Sequence, residues 1–330
     1  MIDFCILGSG LSGSTIANLL SKKYSVEIID KANGIGGRSS NKKIGKFISF
    51  DHGLQYYSPK KTIFKKYLKK LIKRKILKIW DGNHLDFTFK SNSNNEKIIG
   101  VRGNNDLNKY LLKNIKKNLN QEIINIKFKK THWEIFGRSE IFKAKNIIVT
   151  FPYPQSKKLA RMYLNQIFLK LKIKMIPNIT LLLNQKTKRK IPISSIKLNN
   201  NIISWISNEN SKKRFKSKKI NWTLQTSEEF SNKIINIYKK KKNYYSKMII
   251  KELSNILDSN LNNFKALKIH GWKYSYNKVS SGKECYWDNK LRIGLCGDWF
   301  LGSKAESAWL SAKSLFNAIK KNPPKNIRRV

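Results

Sequence analysis

Gly8, Gly10 and Gly13, an acid at Asp30 and the run Gly36-Gly37-Arg38 have the types and spacing to hold a diphosphate and a ribose. Gly8 lets the chain turn sharply out of the apolar run Phe4 to Leu7, and Gly10 lets the backbone come close to a pyrophosphate. Gly13 allows the helix Ser12 to Leu20 to pack tightly on a sheet. The helix start, at Leu11 and Ser12, offers free N–H groups and a positive dipole end to the phosphates. Asp30 closes a second strand, Val26 to Ile29, about 20 residues past the turn, where a carboxylate accepts hydrogen bonds from ribose hydroxyls. NADP would want a positive group in place of that acid; Lys31, the next residue, is counted among the candidate cofactor contacts. Gly36 and Gly37 permit close backbone approach, and Arg38 adds a charge-assisted donor for a diphosphate. One bound dinucleotide accounts for all of these residues together, whereas an empty strand-to-helix corner and a surface turn with a solvated arginine account for them separately.

The elements that must position a second set lie at the far end of the chain. Leu291 to Cys296 reads as a short buried strand, Gly297-Asp298 ends it, and Ala305 to Ile319 reads as a helix rich in small residues. Such a turn can set the Asp298 carboxylate on a ribityl hydroxyl, and the helix start at Glu306, Ser307 and Ala308 can face a flavin pyrimidine ring, where its dipole favours negative charge.

Longer motifs add a resemblance that covers nearly the whole chain. Phe50-Asp51-His52-Gly53-Leu54-Gln55-Tyr56-Tyr57 resembles F-D-x-G-A-Q-Y-F, Gly100-Val101-Arg102-Gly103 a G-V-P-G turn, and His270-Gly271-Trp272-Lys273-Tyr274 an H-R-W-R-Y segment. With the glycine turns, the strand and proline turn Ile147 to Pro154, and Cys296-Gly297-Asp298-Trp299, the sequence is similar to the renalase-like flavoproteins, a branch of the FAD-dependent amine-oxidase and hydroxylase fold group. The departures are Ser307 where the family commonly has glycine, Gly271 where arginine is usual and Arg102 where proline is usual; they bear on substrate choice more than on flavin binding.

The resemblance implies non-covalently held FAD, with Gly53, Gln55 and Tyr56 joining the cofactor contacts, and oxidation of the 2- and 6-dihydro isomers of NAD(P)H with dioxygen as acceptor. Tyr56, Tyr57, His270 and Trp272 become candidate pocket residues, Tyr56, His270 and Trp272 being the catalytic candidates. Each also has a plainer reading: packing for the tyrosines, core for Trp272, a backbone partner for His270, and a turn cap for nearby His52. Cys285-Tyr286 resembles the Cys-Tyr of covalently flavinylated amine oxidases, but the renalase-like branch implies no such bond. Two alternatives stay open: another FAD-dependent oxidoreductase, either an amine oxidase or a lipophilic desaturase, and a flavin-containing polyanion-binding protein.

With 330 residues and 40% apolar content, the chain can bury the cores of about two domains. The net charge of +48 would attract polyanions, yet only 10 of the 68 basic residues are arginines, the type phosphate recognition prefers. Lysine, asparagine and isoleucine are spread everywhere, as an AT-rich genome would produce, so no specific nucleic-acid partner is expected. Between Lys60 and Trp80 the residues Ile63, Phe64, Tyr67, Leu68, Leu71 and Ile72 recur at helical spacing among lysines; the stripe suits a domain core better than weak contact with an anionic membrane surface. Lys212-Lys213-Arg214 through Lys219, and Lys239 to Lys242, read as solvated charge. Three scattered cysteines, Cys5, Cys285 and Cys296, have no metal spacing. They suit a reducing cytoplasm, as does the strand that begins at once and leaves no room for a signal peptide.

The predicted fold class is α/β: a Rossmann-type FAD-binding domain with an inserted α+β substrate domain on a mostly antiparallel sheet. Residues 1–58, 100–154 and 270–330 are assigned to the first domain, and 59–99 and 155–269 to the second, with the flavin ring expected where they meet. The expected elements include a strand from Leu85 to Lys90, a helix from Asp106 to Leu119, strands at Glu122 to Phe128, His132 to Phe136 and Lys145 to Thr150, then Ile179 to Leu183, Ile202 to Ile206 and Trp222 to Thr226, and a helix from Tyr244 to Leu257.

Overall fold

Apart from Asp3, Ile2–Leu7 is a continuous apolar run, and such runs form strands buried on both faces. In the computed structural model, which describes residues 1–86, 88, 96–188 and 190–324, this run is the central strand β1 (Ile2–Leu7). It pairs in parallel with β2 (Val26–Ile29) on one side and with Ile141–Val149 on the other. Lys116–Asn118 continues the parallel sheet beyond β2, and Ile293–Leu295 continues it beyond Ile141–Val149. Antiparallel additions are Tyr286–Asp288 and the hairpin Ile123–Phe128 with Trp133–Gly137. Helix α1 (Leu11–Leu20) and the helix Ala305–Lys321 cover one face through Ile16, Leu20, Ala312 and Leu315 against Phe4, Ile6 and Ile28. Tyr153, Phe168, Trp299 and Phe300 cover the other, against Cys5, Leu7 and Val149. Because the central strands run parallel, Gly8, Asp30, Thr150 and Cys296 all leave the sheet at one edge, where α/β folds place their ligands.

The chain forms two compact units: residues 1–38, 107–175 and 276–330, and residues 39–106 and 176–275. The second is built on a six-stranded sheet in the order Phe264–Asn277, Met175–Gln185, Ile220–Thr226, Ile203–Asn208, Ser195–Lys197, His84–Leu85. Its registered pairs are antiparallel except the last, which is parallel. Helices Glu228–Ile234 and Lys242–Ile256 close its core through Phe230, Ile249 and Leu253 on Ile179, Leu181 and Leu224. Mixed α/β architecture with a Rossmann-type unit is therefore the fold.

The division differs from the expected domains at four places, one being residues 270–275, expected in the first domain and found in the second unit. Residues 39–58 and 100–106 sit in the second unit, and 155–175 in the first, where Tyr153, Ala160 and Phe168 join the first core. The helix expected to reach Leu119 stops at Leu111, because Leu112 and Ile115 turn into the core and Lys116–Asn118 pairs beside β2, with Lys116 and Asn118 each 3.0 Å from the Glu27 carboxylate. Of the strand expected from Leu85 to Lys90, Leu85 is the one strand residue among the described positions 85, 86 and 88; 87 and 89–95 lie outside the described residues. The 14-residue strand Phe264–Asn277 went unforeseen as an element.

The lysine-rich helix spans Thr62–Lys73 and buries Phe64, Leu68 and Leu71, with Ile63 left half exposed. Half of its apolar stripe is thus spent within the protein, while Tyr67 and Ile72 are partly buried. Among the described residues no helix is long and apolar enough to cross a membrane.

Candidate functional site

Gly8 has φ +107°, a value that suits glycine, and its N–H donates to Ile29 at 2.8 Å, so the turn out of β1 is pinned to the end of β2. A Cβ on Gly13 would lie 1.9 Å from the Gly8 carbonyl oxygen, which is why α1 can start so close to the turn. Gly37, at φ +51°, backs onto Gly10: its Cβ would sit 3.1 Å from the Gly10 Cα. The two glycine runs therefore form one nest. By contrast a Cβ on Gly10 would meet no heavy atom within 4 Å, so the nest is open on that side, and the residues present fit a dinucleotide's diphosphate.

The Asp30 carboxylate is held by Ser9, whose N–H and hydroxyl donate to Oδ2 at 2.7 and 2.6 Å, and by the Ala32 N–H at 2.9 Å to Oδ1. This fixes its direction and leaves lone pairs for a ribose. Lys31 is exposed. Arg38 reaches Asp298 with two parallel bonds of 2.8 and 2.6 Å, joining positions 260 residues apart. The helix starts are joined by Ser12, which donates to the Ala308 carbonyl at 3.0 Å. Glu306 is buried, and the Ser307 hydroxyl would be 3.4 Å from a Cβ on Gly302. Gly8, Gly10, Leu11, Ser12, Gly13, Asp30, Gly36, Gly37, Arg38, Gly297, Asp298 and 306–308 thus all lie in the first unit.

Three residues of this nest had no signal in spacing. Buried Asn108 donates to the Ser9 carbonyl at 3.2 Å and the Ser14 hydroxyl at 3.1 Å, and Thr150 donates to the Leu7 carbonyl at 2.9 Å. Ser9 is the variable residue of the glycine pattern.

Gly53, Gln55, Tyr56, His270 and Trp272 belong to the second unit. There the segment Asp51 to Tyr57 is held by its carbonyls. Trp272 Nε1 donates to His52 at 2.8 Å, Gln225 Nε2 to Gly53 at 2.6 Å, and Asn104 Nδ2 to Leu54 at 2.7 Å. Tyr57 is fully buried and donates to the Asn104 carbonyl at 2.6 Å, while Tyr56 packs on Trp205 and Trp80 with centroids 5.5 and 6.4 Å away. His52, His270 and Trp272 form a separate ring cluster, with centroids 4.5 to 5.2 Å apart. The departure at Gly271 has a physical cause: the Tyr238 ring fills the space, 2.6 Å from where a Cβ would be, and its hydroxyl accepts the Gly271 N–H at 2.9 Å. Arg102 is exposed beside Asp106.

Burial, neighbouring His270, and Lys268 and Lys42 pull the His52 imidazole down to about 4 from 6.5, against the opposing pull of Asp51. A base whose folded pKa is depressed is protonated first in the unfolded chain, so its contribution to stability is complete above about pH 6.5 and drains away toward pH 4. Wild type should lose most of about 3 kcal/mol more than His52→Gln between pH 7.5 and 4.5 in urea unfolding. Equal losses would exclude this role for His52.

The reading of Lys212 and Arg214 as solvated charge is corrected: both side chains are buried, while Lys213, Lys216, Lys218 and Lys219 are not. Lys212 Nζ lies 2.9 Å from Asp51 and 3.0 Å from Glu209, and Arg214 caps Asp51, the Gly100 carbonyl and Asn104. Burial would raise the Asp51 carboxyl, but Arg214 and then Lys212 hold it well below the usual range. Burial, with Asp51 nearby, pushes Glu209 upward against Lys212. Four buried charges thus anchor the start of the Asp51 to Tyr57 segment.

A family model for the NAD(P)-binding Rossmann-like domain matches residues 6–71. Among solved structures, a protein provisionally named as a protoporphyrinogen oxidase from Exiguobacterium sp. 255-15 superposes with a TM-score of 0.73 at 11% identity, covering 97% of this chain and 98% of that one. Cyclohexylamine oxidase from Brevibacterium oxydans IH-35A gives 0.70 at 8% identity, covering 97% and 99%. An oxidoreductase from Methanosarcina mazei gives 0.64 at 13% identity, covering 96% and 100%. At these identities the likeness is one of fold.

Proposed function

We propose that this protein is an FAD-dependent oxidoreductase and, within that class, a renalase-like oxidase of dihydronicotinamide isomers. The observation that carries the class is the nest itself: Gly37 backed on Gly10, an open side at Gly10, Asp30 fixed by Ser9, and Arg38 joined to Asp298. Gly10, Gly37 and the α1 start would hold the diphosphate, Asp30 the ribose, and Asp298 with the Ala305–Lys321 helix start the ribityl and ring portions. When bound, FAD supplies the two-electron acceptor that dioxygen restores. The protein's share is binding, orientation and shielding, and the product's aromatic pyridinium needs little acid-base help. The names of the similar structures fit an oxidase, and the Asp51 to Tyr57 and His270 to Tyr274 segments support the finer substrate.

The test is an anaerobic titration of FAD-saturated protein followed by visible absorption. Bleaching by 6-dihydroNAD and not by ordinary NADH is the expected result. Bleaching by a primary amine in their place would move the substrate to the amine-oxidase class, and failure of every isomer would remove the dihydronicotinamide reading.

A further inference from the structure

Lys268, His270 and Trp272 occupy alternate positions of the strand Phe264–Asn277 and so share a face. His270 and Trp272 meet the His52 ring there at 5.2 and 5.1 Å, and Ser40 Oγ stands 3.4 Å from His52 Nε2. From the separate hairpin strand Asn41–Ile44, Lys42 comes within hydrogen-bonding reach of Lys268, a pairing of like charges that is ordinarily unfavourable. Lys242 adds positive charge felt by Lys268, and Lys239 positive charge felt by His270. Among the described residues none of these four lysines has a carboxylate partner, and the one acid acting on His52, Asp51, is already bonded to Lys212 and Arg214. His52 Nδ1 is buried and, among the described residues, has no hydrogen-bond partner.

We propose that Lys42, Lys268 and His270 bind a phosphate group carried by a small molecule. An anion there relieves the repulsion between the two ammonium groups, accepts charge-assisted hydrogen bonds from both, and favours the charged form of the two imidazoles beside it. The choice of a dinucleotide as its source rests on the proposed function; the site itself rests on the cluster.

The four histidines make a direct readout. Histidine NMR titrations of the FAD-saturated protein, with inorganic pyrophosphate as probe, should raise the His52 and His270 pKa by about one pH unit and leave His84 and His132 in place. Lys42→Gln/Lys268→Gln should abolish the shifts and weaken pyrophosphate about tenfold, whereas Lys66→Gln on the exposed face of Thr62–Lys73 should change neither. ADP-ribose binding more than tenfold tighter than pyrophosphate at the same histidines assigns the phosphate to a nucleotide; comparable binding assigns it to a free diphosphate. The absence of any shift, equal shifts at all four histidines, or equal weakening in Lys66→Gln would overturn the site. The pattern in the native chain needs no variant to fold. Since it is read by proton binding rather than by turnover, it can fail while the oxidase reading stands, and the reverse.

Discussion

A Gly10→Ala chain will fold as the native one does and hold FAD about a hundredfold more weakly. Gly10 has φ −66° and ψ −179°, values that alanine adopts freely, and its added methyl would touch nothing in the free protein. Unfolding free energies should agree within about 0.5 kcal/mol. With the diphosphate bound, the same methyl occupies the ligand's place, an overpacking cost of about 1–3 kcal/mol in affinity. Gly13→Ala is the contrasting case: its methyl would collide with the Gly8 carbonyl, so stability and FAD should fall together. Urea unfolding without cofactor, paired with FAD fluorescence titration, separates the two. A Gly10→Ala protein that binds FAD as tightly as the native chain would refute the nest as a diphosphate site.

Lys212→Met should cost about 3–5 kcal/mol at neutral pH, because it leaves two buried carboxylates to Arg214 alone. Glu209 is then the weak point, keeping the Thr223 hydroxyl at 2.6 Å as its hydrogen bond. Its folded pKa, already raised, rises further, so the variant's stability is retained below the unfolded value of 4.5 and is lost as pH climbs through the folded one. The variant should therefore be less impaired at pH 5 than at pH 8, and Lys212→Met/Glu209→Gln should recover much of the loss. Urea midpoints across that range decide it; a deficit that does not change with pH, or a double variant no better than the single, would show that the lysine acts through packing alone.

The legible part of this protein was local. Gly8, Gly10, Gly13 and Asp30 sit within one βαβ turn, and the geometry of such a turn follows from spacing, as does the apolar stripe of Thr62–Lys73. What was hidden depends on partners far along the chain. Arg214 looks like part of a surface run because its acid, Asp51, is 163 residues away, and Lys212, although Glu209 stands three residues before it, takes its second acid, Asp51, from 161 residues away. Asn108, 99 residues from Ser9, is hidden for the same reason. Gly271 reads as a lost arginine until Tyr238 is seen filling its place. The shortened helix at Leu111 shows the same override, since pairing beside β2 outweighs helical propensity over residues 112–118.

The parallel sheet takes its strands from both ends of the sequence, with β1 at the start and Ile293–Leu295 near the finish. During synthesis the whole of the six-stranded sheet has left the ribosome while the Rossmann sheet still lacks its last parallel strand. The early strands must wait, with their edge unprotected, for most of the polypeptide to be made, a delay set by contact order and not by size. Truncation between Asn277, where the six-stranded sheet is complete, and Ile293 should therefore yield an aggregating product in which the interrupted Rossmann sheet, rather than the insert made meanwhile, is the sticky part.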